Sequence, residues 1–144
     1  MELKNVSVDV SQLEGFKIET RTRGHIAMVD QPENSGGTDT GPTPLEYLFV
    51  SLGSCIVSIA LIVARQQRLP IRKIDAHVEG DLDTDVFMGK RKDFRAGFTG
   101  IRVSVSIDGD LNQEEKERFL QEVEARCPVT ENLRNLTPVE VSVA

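Results

Sequence analysis

Two cysteines, Cys55 and Cys127, are the residues in this chain best suited to chemistry, and each stands at a distinctive place. Cys55 lies inside a long apolar segment, GPTPLEYLFVSLGSCIVSIALIVA, which would shield a thiol from bulk water. Cys127 immediately precedes a proline in ARCPVTENL, where one helix is expected to end and another to begin. Two sheltered thiols in separate segments point to redox chemistry. They lie 72 positions apart (127 − 55), so neither a CxxC redox pair nor a zinc-finger spacing is available. The two histidines, His25 and His77, are scattered, and no HxxE unit accompanies them, so no metal site is expected. No nucleotide-binding motif is present, and no cofactor is called for.

The elements that must position these thiols are well signalled. Thr43 as N-cap, Pro44 at the first helical position and Glu46 at the third form a capping box, and Leu69-Pro70 closes the helix. The stretch Leu48 to Ala64 is apolar on nearly all sides, yet Ser51, Gly53, Ser54 and Ser58 interrupt it and it falls short of a typical membrane span. It reads as a helix buried in protein, one face on a sheet and the other on a second layer or a partner subunit. A second capping box, Asn112 with Glu115, opens a helix whose Phe119, Leu120, Val123 and Cys127 share one stripe. Pro128 then starts a short helix that runs through Asn135.

Alternation of apolar and polar residues marks strands at Val6, Val8 and Val10, at Phe16, Ile18 and Thr20, at Ile26 to Val29, at Ile74 to Val78, at Ile101 to Ile107, and at Val139, Val141 and Val143. The resulting order is β-β-β-α-β-β-α-α-β, an α+β domain spanning residues 1–144. Residues 31–41, QPENSGGTDTG, collect turn formers into a long loop placed as a functional lid, and DLDTDVFMGKRKDFRAGF reads as an irregular or hairpin connection.

Composition narrows the function. With 17 basic and 23 acidic residues the net charge is −6, which argues against a nucleic-acid or anionic-membrane binder. Only Lys90, Arg91, Lys92 and Arg95 cluster positive charge, most simply as a solvated loop. The N-terminus MELKNVSVDV lacks the apolar core of a signal peptide, so a cytoplasmic location with thiols reduced at rest is expected.

GPTPLEYLFVSLGSC at 41–55, CPV at 127–129 and GHIAMVD at 24–30 together resemble the OsmC/Ohr family, the osmotically inducible and organic hydroperoxide resistance proteins. The resemblance implies an intertwined homodimer with antiparallel sheets around two long central helices, and a thiol-dependent peroxidase acting at the subunit interface. Cys55 would attack the hydroperoxide and Cys127 would resolve the sulfenic acid as a disulfide, with an external dithiol reductant, lipoyl-linked or thioredoxin-like, restoring both thiols. Leu48, Phe49, Leu52 and Ile56 would wall an apolar pocket that favours organic hydroperoxides.

Burial alone would silence Cys55, so a cationic neighbour is required. In the family an arginine from the N-terminal strands, oriented by a glutamate, fills that role. Here the candidates are Arg21 and Arg23, which flank Thr22, and Glu46. In the well-studied branches the glutamate directly follows the proline; in this chain that position is Leu45, and Glu46 is turned by about 100° from it. Glu46 is equally explained as a helix cap, and Arg21 and Arg23 as solvated strand charges. A small-ligand binding protein, a thiol redox sensor and sulfur chemistry without peroxide remain alternatives on the same scaffold.

Overall fold

The computed structural model describes residues 1–144, which form two compact units, Met1–Leu48 and Phe49–Ala144. The element order is β1 (Asp9–Glu14), β2 (Lys17–Thr22), β3 (His25–Val29), α1 (Pro44–Gln67), β4 (Ile71–Asp81), α2 (Thr84–Phe87), β5 (Gly100–Gly109), α3 (Gln113–Arg126) and α4 (Pro128–Arg134). The α+β class and the antiparallel sheets agree with the sequence reading.

In the first unit β1, β2 and β3 form an antiparallel meander, paired Val10 to Thr20 and Thr20 to Ala27. The Thr22–His25 pair is closed by a two-residue turn, Arg23-Gly24, with φ of 48° and 82°. Two left-handed residues match the twist of the strands they join, which is why glycine occupies the second place. The first strand starts at Asp9, later than the alternation of Val6 and Val8 indicated.

The long loop after β3 is a built structure. Asp30, 1% exposed, accepts from the backbone N–H groups of Gln31, Thr38 and Thr40 and from the hydroxyls of Thr38 (2.7 Å) and Thr40 (2.7 Å). A Cβ at Gly37 would fall on the Gln31 carbonyl, so only glycine lets the loop fold back this closely. The segment read as a lid is therefore fastened to the end of β3.

In the second unit β4 and β5 pair as a long antiparallel ribbon, Ile74 opposite Ile107 and Val78 opposite Val103. Inward residues alternate with exposed charges, and Arg102 reaches Glu79 at 3.0 Å while Arg72 reaches Asp108 at 2.8 Å. The core is made by Leu52, Ile56, Ala60 and Val63 of α1, Ile74 of β4, Phe119 and Val123 of α3, and Cys127. The helical spacing of the α1 residues puts them on one stripe. Gly53 sits beside that stripe, and a Cβ there would stand 3.2 Å from Val78 Cγ2, so its lack of a side chain lets the helix lie close on the sheet.

By length and apolarity α1 alone could cross a membrane; here one face of it is core. The helix ends on Arg68 in the left-handed conformation (φ 53°), with the Leu69 N–H returning to the Ala64 carbonyl at 2.9 Å.

Two expectations are corrected. Residues 137–143 form no strand, because nothing within this chain pairs with them, and Val139, Val141 and Val143 stay exposed. The connection between β4 and β5 holds the short helix α2, whose N-cap Asp83 accepts from the Asp85 N–H at 3.0 Å. Within that connection the basic residues are partly neutralised, Arg91 by Asp83 (2.9 Å) and Asp93 (2.8 Å), and Lys90 by Asp85 (3.4 Å).

The Thr38 and Thr40 hydroxyls hold the Asp30 carboxyl well below the usual carboxylate range, with backbone N–H groups adding to the effect and burial opposing it. A depressed folded-state pKa gives stability that is complete above the unfolded value of about 3.9 and declines as pH falls below it. Asp30→Asn should therefore be less stable than the parent at neutral pH, with a gap that narrows as denaturation is repeated from pH 5 down to pH 2. A gap that does not change with pH would show that the charge is not what holds the loop.

Candidate active site

Cys55 projects from the middle of α1, one residue before buried Ile56 and so about 100° around the helix from it. It is half-buried, at the flank of the core stripe. Cys127 is 1% exposed and joins α3 to α4, with φ −79° and ψ 110°. Pro128 requires this extended conformation of the residue before it, so the chain leaves one helix and enters the next at the cysteine. The two side chains meet. Cys55 packs against the core that contains Cys127, and each thiol acts on the ionisation of the other.

The surroundings treat the two sulfurs differently. Burial pushes the Cys55 thiol up, the neighbouring Cys127 pushes the same way, and the Val129 backbone N–H only partly opposes them. Burial also opposes ionisation of Cys127, yet the Thr130 hydroxyl and N–H, the Cys55 thiol and the Val129 N–H together outweigh it and bring Cys127 below the ordinary thiol value. Of the two, Cys127 is accordingly the thiol that ionises more readily.

Of the four residues read as pocket walls, Leu52 and Ile56 are core residues, 4% and 3% exposed. Phe49 is half-buried and stacks on Phe98, ring centroids 4.6 Å apart. Both rings cover Gly80, where a Cβ would stand 3.1 Å from Phe49 and 3.2 Å from Phe98. Leu48 is half-buried at the end of the first unit.

The supporting charges belong to the first unit. Arg21 lies on β2, exposed, and is paired with Glu19 at 2.7 Å. Arg23 is the left-handed turn residue between β2 and β3. Glu46 accepts from the Thr43 N–H at 2.7 Å while the Thr43 hydroxyl accepts from the Glu46 N–H at 3.3 Å, completing the capping box.

Two polar residues of consequence were missed in the sequence. Thr130 faces Cys127, and its signal was present, since Pro128 at the first helical position makes Thr130 the third. Asp30 was visible only as the last letter of GHIAMVD.

A profile of the OsmC-like protein family matches residues 37–142. The chain belongs to this family. The fold of this OsmC-like protein is that of solved relatives of low identity. An OsmC-like protein of Mycoplasma pneumoniae superposes with a TM-score of 0.81 at 21% identity, covering 92% of this chain and 89% of that one. An organic hydroperoxide resistance protein of Legionella pneumophila gives 0.69 at 21% identity, covering 93% and 92%. One from Elizabethkingia anophelis, with thiocyanate bound, gives 0.65 at 18% identity, covering 94% and 91%. Comparison with curated proteins finds no match by sequence.

The capping role of Glu46 can be separated from a catalytic one. Thr43→Ala should cost about 1 kcal/mol of stability in chemical denaturation. Glu46→Gln keeps an acceptor for the Thr43 N–H and should cost less; if the acid also orients an arginine, the same variant loses peroxide turnover beyond what its stability explains. A loss confined to stability assigns Glu46 to the cap alone.

Proposed function

We propose that this OsmC-like protein is a thiol-dependent peroxidase that reduces organic hydroperoxides through Cys55 and Cys127. The observation that supports this best is the meeting of two thiols from distant parts of the sequence inside one core. The Cys55 thiolate attacks the distal oxygen of the hydroperoxide; the O–O bond breaks, the alcohol leaves with a proton, and Cys55 becomes a sulfenic acid. The Cys127 thiolate then attacks the Cys55 sulfur. The S–S bond forms as the S–O bond breaks, and hydroxide departs as water after taking a proton.

Because burial holds the Cys55 proton on, the first step needs a cation to favour the thiolate, and Arg21 or Arg23, with Glu46 as the orienting acid, is the candidate source. An external dithiol returns the two electrons, since the chain has only two cysteines and the disulfide uses both. Apolar walls that include Phe49 would favour an organic substrate.

The active form in this reading is a homodimer. Val50, Leu61 and Ile62 leave the outer side of α1 exposed and apolar, and a second copy would cover it. The C-terminal valines, unpaired within one chain, would gain a strand partner in the same assembly.

The test uses reduced protein, an organic hydroperoxide and a dithiol donor. Cys55→Ser should abolish peroxide consumption. With the dithiol left out, Cys127→Ser should consume about one equivalent and stop at a Cys55 sulfenic acid, where the parent goes on to a disulfide, because the resolving thiol is gone. Equal activity in the two variants would refute the division of roles, and oxidation of the parent without sustained turnover would make it a redox sensor instead.

A further inference from the structure

Thr130 is 7% exposed, and its hydroxyl is the one buried side-chain polar atom without a hydrogen bond of ordinary geometry. A threonine in a helix usually satisfies its hydroxyl on a carbonyl three or four residues earlier. Here neither the Cys127 carbonyl, three residues back and bonded to the Glu131 N–H at 3.0 Å, nor any other acceptor pairs with it. What remains for the hydroxyl is the sulfur of the same residue, a large and weak acceptor while it carries a proton and a much better one as thiolate.

The backbone repeats the arrangement. No side-chain hydrogen bond caps α4, and the Val129 and Thr130 N–H groups at its start act on the Cys127 sulfur in favour of its charged form. Leaving a buried hydroxyl unpaired is costly, and the cost is recovered when an acceptor appears beside it. In the reduced protein that acceptor appears when Cys127 ionises.

We infer that Thr130 is a positioning residue for the second thiol: its otherwise unpaired hydroxyl donates to the Cys127 sulfur in the charged form and so keeps that thiol ready to attack Cys55. The inference rests on the proposed role of Cys127 as the resolving thiol. The step itself is the one written above, with the Cys127 lone pair forming the S–S bond as hydroxide leaves Cys55. Thr130 changes no bond in it and raises the fraction of Cys127 present as thiolate.

The test avoids peroxide, so it can fail or succeed independently of the peroxidase reading. Reduced protein labelled with [13Cβ]cysteine gives two resonances, one for each cysteine in the chain, and their shifts follow thiol ionisation without needing access to a buried sulfur. Cys55→Ser assigns them. Thr130→Val, of the same shape without the hydroxyl, should raise the Cys127 midpoint by on the order of one pH unit, a roughly tenfold loss of thiolate below the midpoint. Thr130→Ser, which keeps the hydroxyl, should leave it within a few tenths of the parent value. An unchanged midpoint in Thr130→Val, or a shift in Thr130→Ser as large as that in Thr130→Val, would overturn the inference. Should the valine variant fail to fold, Thr130→Ser against Thr130→Ala isolates the hydroxyl: a higher midpoint in the alanine variant supports the inference, and equal midpoints overturn it.

Discussion

The packing of one stripe of α1 against β4 and α3 is the interaction on which the site depends. Leu52, Ile56, Ala60 and Val63 bury the stripe, and Gly53 lets it approach the ribbon closely enough for Val78 to touch the helix. Phe119, Val123 and Cys127 close the same core from the other side in sequence. Each buried aliphatic side chain contributes about 1.5–3 kcal/mol by leaving water. That energy fixes the rotation of α1, and the rotation decides that Cys55 stands at the flank of the core beside Cys127. A shift of one residue along the helix would turn Cys55 away by about 100°.

The same burial sets the chemical problem. An apolar site protects a sulfenic acid from water but disfavours the thiolate that must form it. The second unit eases this for Cys127, where Thr130 and the backbone of α4 favour the charged form, and less so for Cys55, which burial pushes up. The division would suit the proposed two-thiol reaction, in which Cys127 is the resolving nucleophile and Cys55 needs a cation to ionise. The candidate cations and Glu46 lie in the first unit, where Asp30 fastens the loop that leads into α1.

Much of this was legible where the signal is local. The capping boxes at Thr43 and Asn112 follow from residues three apart and are present with both of their hydrogen bonds. The stripe ending at Cys127 follows from 3-to-4 spacing. Features that depend on distant partners were not legible. Val139, Val141 and Val143 alternate like a strand, but a strand exists only if another pairs with it, and alternation says nothing of the partner. Leu52 and Ile56 read equally as pocket wall or core, since both are apolar; packing makes them core. The approach of the thiols needed the 71 residues between them (56–126) to fold, and only the family resemblance pointed to it. Thr130 carried a local signal, its third place in the helix that Pro128 opens, but nothing local tells such a threonine from one that merely faces water.

The central claim is that the two thiols lie within bonding reach and that a hydroperoxide joins them. The most direct measurement treats fully reduced protein with one equivalent of an organic hydroperoxide, then maps the cysteines by mass spectrometry without reductant. The account predicts rapid loss of two hydrogens, a Cys55–Cys127 linkage and one equivalent of alcohol. Two free thiols beside unspent peroxide would contradict it.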